Sequence, residues 1–313
     1  MTDPLVHIGL HRTGSTWMQK SALPHEGIPL EDIWPDRVDL ANRVVIPTED
    51  AFEEDAPAIA AFIEERGERV RSAGRVPVIS HERLSGNPSS GAYDMVRNAE
   101  RIERVAPGAR ILIVLREQQS HLESIWCQAV RIGHYSSARD FLRPHAPGDF
   151  RTTHFTPSYL RYDRVVAEYV RRFGRDRVLA IDFERLRRDP TDHMGAICRF
   201  MGTTPPESVP IERKYARPSV LEADLLRRGN LLHLRSTLNP GPPFESARLH
   251  GLWRRGAAFA ARCAPRWWLE RKAARLAGVV TDYLDRHDDS IRTGNLRLRD
   301  EFGVELMSDL WRV

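Results

Sequence analysis

An apolar run at residues 4–10 (PLVHIGL) stops at a polar turn, His11-Arg12-Thr13-Gly14-Ser15, and helix formers take over at residues 16–23. Strand, tight glycine loop and helix in that order predict an α/β fold, because a helix laid on the sheet returns the chain to start a parallel neighbour. Three later segments read as further strands: residues 75–80 (RVPVIS), 110–115 (RILIVL) and 177–183 (RVLAIDF). The second is apolar throughout, as expected of a strand covered on both faces. Helical patterns separate them at residues 51–72 and 93–105. Tyr162, Val165, Val166, Tyr169, Val170 and Phe173 then follow the spacing of one helix face, with Gly174 as the stop. Residues 31–50 mix proline and charge without a period and read as irregular. The expected architecture is a central parallel sheet flanked by helices.

Met194, Ile197, Cys198 and Met201 predict another short helix, with Cys198 in the core, and the pattern from residue 218 onward is helical apart from the NPGPP turn at 239–243. This reads as one 313-residue domain, an α/β core at 1–217 with a helical extension at 218–313. The mean hydropathy of −0.45, the lack of an apolar run of membrane-spanning length and an N-terminus without a secretory pattern predict a cytoplasmic protein. Cys127, Cys198 and Cys263 form no CxxC pair, which argues against a disulfide framework or a zinc site. The net charge is +4, but Lys20, Lys214 and Lys272 are the only lysines among 47 basic residues. That bias fits GC-rich coding better than nucleic-acid binding, so no nucleic-acid partner is expected. Arg248, Arg254, Arg255, Arg262, Arg266, Arg271, Lys272 and Arg275 alternate with Trp253, Phe259, Trp267 and Trp268. Such helices either make peripheral contact with an anionic membrane or dock their aromatics on the core with the arginines in water; the second reading is favoured.

The loop Gly9-Leu10-His11-Arg12-Thr13-Gly14-Ser15-Thr16 fits the phosphate-loop pattern GxxxxGK[ST], with Ser15 at the lysine position. Backbone N–H groups at a helix N-terminus suit a phosphate whatever the side chains are, although an ordinary Gly-Ser turn capping a helix has the same composition. A P-loop kinase or NTPase also needs the lysine and a magnesium-binding acid, and here the buried strand at 111–115 ends in Arg116. A degenerate nucleotide-binding protein is the non-enzymatic alternative. The second candidate strand ends in Ser80-His81-Glu82-Arg83, which sets two candidate bases side by side at the sheet edge where ligands bind.

Two signatures resemble those of the sulfotransferase family. Arg12-Thr13-Gly14-Ser15-Thr16-Trp17 is similar to the family's 5′-phosphosulfate loop, except that Arg12 stands where the family has lysine. Ile111 to Arg116 with Ser124 eight residues on is similar to its 3′-phosphate motif. Residues 169–190 and 295–306 extend the likeness over most of the chain. The resemblance implies a P-loop-like fold and transfer of a sulfuryl group from 3′-phosphoadenosine 5′-phosphosulfate (PAPS) to a hydroxyl by in-line displacement, with no metal. It assigns the phosphosulfate to Arg12, Thr13, Gly14, Ser15, Thr16 and Trp17, and the 3′-phosphate to Arg116 and Ser124, with Ser120 one turn earlier as a lesser candidate. Bacterial members favour Glu82 as general base and the cytosolic small-molecule enzymes keep His81 in view. Alternatively, Glu82 pairs with Arg83 or Arg116 while His81 packs. A glycan or small-molecule acceptor is expected, a carbohydrate hydroxyl first and a lipid or secondary-metabolite hydroxyl next. Arg131, His134, Tyr135, His154, Tyr159 and Tyr162 are candidates for its pocket, and Lys214, Arg217 and Ser219 for a further basic segment near the donor.

Overall fold

In a computed structural model, which describes residues 3–88, 91–143, 155–210, 219–235, 239 and 241–313, five strands form one parallel sheet in the order β2-β3-β1-β4-β5. They are β1 (Leu5–His7), β2 (Leu30–Asp32), β3 (Val76–Ser80), β4 (Arg110–Leu115) and β5 (Val178–Asp182). β1 is central, with Leu5 opposite Val78 on one side and Arg110 on the other. From β1 the chain runs to the β2 edge, returns through β3 and crosses to β4. The loops leaving the carboxyl ends of β3, β1 and β4 therefore lie next to one another, and those of β1 and β4 flank the point where the strand order reverses.

The four strands expected from the sequence are all present, and β2 corrects the expectation that residues 31–50 are irregular. Three residues are too few to show a period, and only Leu30 of β2 is buried. The edge is held by a side chain of the next strand's entry instead. Arg75 pairs with Glu31 at 2.7 Å and donates to the carbonyl oxygens of Ile28 and Leu30.

The chain divides into two compact units. The first comprises Met1–Glu117, Ser158–Tyr215 and Asp289–Val313. Its sheet is flanked by α1 (Ser15–Trp17), which runs into a wider π turn at Met18–Ala22, and by α2 (Arg37–Leu40), α3 (Glu49–Ser72) and α4 (Met95–Val105). The second comprises Gln118–Pro157 and Ala216–Asp288 and contains α5 (Gln118–Arg131) and α6 (Ala138–Phe141). The first unit continues with α7 (Tyr162–Phe173), α8 (Phe183–Arg188) and α9 (Pro190–Phe200). α7 buries Tyr162, Val165, Val166, Tyr169 and Phe173, the face read from the sequence, and Cys198 on α9 is fully buried. In the second unit follow α10 (Val220–His233), α11 (Ala247–Cys263) and α12 (Arg266–Asp285).

The helical C-terminal region expected from the sequence is present and ends with α13 (Asp288–Asp300); residues 301–313 alone depart from the expectation, being non-helical. Asp182 at the end of β5 accepts hydrogen bonds from the Met307 backbone at 2.8 Å and the Trp311 indole at 2.6 Å, so the tail is tied to the sheet by a side chain of distant sequence. In the second unit Asn230 acts as a buried junction, donating to the carbonyl oxygens of Val130 and His134 and meeting His250. Trp253 lies in the space left by Gly229, where a Cβ would occupy the indole. Among the described residues no helix is long and apolar enough to cross a membrane.

Candidate functional site

The loop after β1 is built around two left-handed residues. Gly14 has φ of 91° and Arg12 has φ of 68°; glycine takes this conformation freely, whereas arginine resists it. A Cβ at Gly14 would come within 2.6 Å of Leu186 and 3.2 Å of Phe183, so α8 leaves room for glycine alone. Between them Thr13 is buried and donates to the Leu10 carbonyl at 2.5 Å, which closes the turn. Gly14 is the N-cap of α1 and supplies no capping side chain. The first-turn N–H groups of a helix have no partner within the helix, and such an end is suited to an anion. Ser15 is buried, and its Oγ meets no hydrogen-bond partner among the described residues. Trp17 anchors the far side, donating from its indole to the Pro210 carbonyl at 2.9 Å and packing edge-on against His193.

Arg116 follows β4 directly. Its Nη1 donates to the Arg12 carbonyl at 3.0 Å and its guanidinium lies over the Phe183 ring at 5.1 Å. The two segments singled out in the sequence are thus in contact through Arg12 and Arg116. Ser124 is buried on α5 in the second unit, one turn beyond Ser120.

The strand end after β3 separates the two candidate bases. His81 is the N-cap of the short turn Glu82–Ser85: its Nδ1 accepts the Arg83 N–H at 3.0 Å, which requires the proton on Nε2, and Nε2 lies 3.0 Å from the Arg37 carbonyl. Both ring nitrogens are engaged, and burial lowers the pKa of the ring, keeping it neutral. Glu82 keeps 37% of its side chain exposed. Burial raises its pKa, but the facing imidazole of His11, its own backbone N–H and the rings of His81 and His7 outweigh this and hold the carboxyl below its usual range, so it is ionised at neutral pH. Arg83 pairs with Asp94 at 3.4 Å, and Arg116 is directed at the loop.

Residues that sequence reasoning missed lie behind the site. His7, inside the apolar run of β1, is buried and bonds through Nδ1 to Ser80 Oγ at 2.8 Å, and Gln19 donates to the same oxygen at 3.1 Å. A polar side chain in a covered strand demands such partners, and this was the signal available in PLVHIGL. Burial lowers the pKa of His7 and of His11 to about 4.

A family model described as the sulfotransferase family matches residues 4–207. The chain belongs to the sulfotransferase family. Among solved structures, a sulfotransferase from Alicyclobacillus acidocaldarius is 20% identical with a TM-score of 0.45, over 82% of this chain and all of that one. The sulfotransferase domain of the Synechococcus PCC 7002 olefin synthase is 14% identical with a TM-score of 0.35, over 90% of this chain and 96% of that one. A retinol dehydratase in complex with androsterone and inactive cofactor PAP is 14% identical with a TM-score of 0.32, over 90% of this chain and 80% of that one. No curated protein matches the sequence.

The remaining expected residues of this sulfotransferase fall in several places. Tyr159 is buried in the first unit, where its hydroxyl faces the backbone of His11. Tyr162 is a core residue, edge-on to Trp311. In the second unit His134 packs against Tyr135 and Phe141, and Arg131 is exposed at the end of α5. Ser219 caps α10. His154, Lys214 and Arg217 lie outside the described residues.

Proposed function

We propose that this sulfotransferase moves the sulfuryl group of PAPS to a hydroxyl acceptor, with the loop Arg12–Trp17 on the 5′-phosphosulfate, Arg116 on the 3′-phosphate and Glu82 as general base. The hydrogen bond from Arg116 to Arg12 carries this reading, because it joins the two segments that the resemblance assigns to the two ends of one donor. The loop suits the group. It offers a helix N-terminus without a side-chain cap, a buried Ser15 hydroxyl that needs an acceptor, and the Arg12 cation. PAPS supplies the activated sulfuryl group. The N–H groups of the first turn hold the phosphate, Arg12 stabilises the charge that builds on it as the S–O bond breaks, and Glu82 takes the proton of the attacking hydroxyl. Ser124 is assigned to the 3′-phosphate by its sequence spacing alone. A carbohydrate is the proposed source of the hydroxyl, on the resemblance of residues 80–94 (SHERLSGNPSSGAYD) to bacterial members.

The test is calorimetry with 3′-phosphoadenosine 5′-phosphate (PAP) and with ATP plus magnesium, followed by transfer from labelled PAPS to a panel of glycans and small alcohols. PAP binding without metal and labelling of a glycan support the reading. Preference for ATP with magnesium would replace it with a kinase or NTPase, and PAP binding with no transfer to any hydroxyl would leave a nucleotide-binding protein.

A further inference from the structure

α11 directs an apolar stripe away from the core of the second unit. Leu249, Leu252 and Phe259 are 48%, 58% and 65% exposed. With Gly256 and the exposed Cys263 they recur at alternating spacings of three and four, which places them on one helix face. The other face is committed inward: Ala257 and Ala261 are buried, and Trp253 donates to the Leu225 carbonyl at 2.8 Å. Trp267, in the first turn of α12, adds a fourth exposed large apolar side chain at 63%. Arg248, Arg255 and Arg262 are spaced by seven and form a row along one border of the stripe. α11 contains no acidic residue, and none of these three arginines forms an ion pair among the described residues; the surface pairs that flank the helix in sequence are Arg235 with Glu245 before it and Arg266 with Glu270 after it.

We propose that this face docks on an anionic lipid bilayer, lying in its plane with Leu249, Leu252, Phe259 and Trp267 in the acyl boundary and the arginine row on the headgroup phosphates. The inference goes beyond the sulfuryl-transfer reading and stands without it. An exposed apolar stripe bordered by unpaired cations has the two attractions that hold an interfacial helix, apolar burial and charge. The alternation also suits a helix pair, but charge decides against a second copy. Two such stripes face to face bring both arginine rows to one interface with no acid on either helix to meet them.

The experiment is sedimentation of the full chain with vesicles of phosphatidylcholine alone and with about one third phosphatidylglycerol, at rising salt. We expect binding to the anionic vesicles only, weakening with salt. The triple variant R248Q/R255Q/R262Q should bind roughly a hundredfold more weakly, at about fivefold per arginine. L252E/F259E should lose binding while keeping the wild-type circular dichroism, since both side chains are already in water. Cys127 and Cys198 are buried, so an environment-sensitive dye on Cys263 of the wild-type chain reports insertion as a blue shift. Failure of the wild-type chain to bind anionic vesicles, equal binding to neutral ones, or a wild-type dimer that L252E/F259E converts to monomer would each overturn the proposal. Because this readout is vesicle binding, its failure is separate from any failure of PAP binding.

Discussion

Arg116 holds the carbonyl oxygen of Arg12 at 3.0 Å, so the residue that follows one strand braces the loop that follows its neighbour. The braced residue has the left-handed φ of 68°. That conformation costs a residue with a Cβ roughly 1–2 kcal/mol and is kept only where the surroundings over-determine it. Here the Arg116 hydrogen bond, the buried Thr13 and the fit of Gly14 against α8 do so.

Arg116→Ala is expected to weaken PAP by about tenfold to a hundredfold, at roughly 1.5–3 kcal/mol for a charge-assisted bond. Adenosine 5′-phosphate, which lacks the 3′-group, should lose far less. Calorimetry with both nucleotides distinguishes two roles, because equal losses mean that Arg116 serves only as the brace of the loop.

Arg12→Gly separates charge from backbone. Glycine is free of the left-handed penalty, so stability should hold or rise by up to about 1 kcal/mol. Turnover should fall, and kcat more than donor affinity, because charge grows on the leaving phosphate only as the bond breaks. Arg12→Lys should retain much of the activity. Normal turnover by Arg12→Gly would move leaving-group stabilisation to another residue.

Glu82→Gln should lower kcat by roughly 10² to 10⁴ with PAP affinity nearly unchanged. His81→Asn keeps an N-cap acceptor and should stay folded and active, whereas His81→Ala should lose about 0.5–2 kcal/mol of stability as a lost cap does. Steady-state kinetics beside thermal melts reads both. An active Glu82→Gln together with a folded, inactive His81→Asn would make His81 the base.

Stability should fall on the acid side of neutrality. Burial lowers His7 to about 4 and His193 to about 3, from an ordinary 6.5. Between pH 6.5 and about 4 the unfolded chain binds protons that the folded rings refuse, so stability is full above 6.5 and is lost on descent, at up to ~1.4 kcal/mol per pH unit for each histidine. Urea midpoints at about pH 7.5, 6 and 5 test this, and no change across them would show that the rings protonate in the folded state.

Four of the five strands, the face of α7 and the glycine loop are legible in the sequence, because period and left-handed turns are set by residues a few positions apart. The remainder follows from contacts between segments far apart in the chain. β2 exists because β3 pairs with it and Arg75 reaches its carbonyl oxygens. His81 is engaged and Glu82 left open because the Arg37 carbonyl, 44 positions away, lies against the imidazole. The arginine and tryptophan pattern of the tail was legible as amphipathic helix, but not which aromatics stay exposed. Trp253 is taken up by Gly229 and the Leu225 carbonyl, whereas Trp267 faces water. A residue's neighbours along the chain set its backbone, while its hydrogen-bond partner or cover comes from whichever distant segment the packed core brings to it.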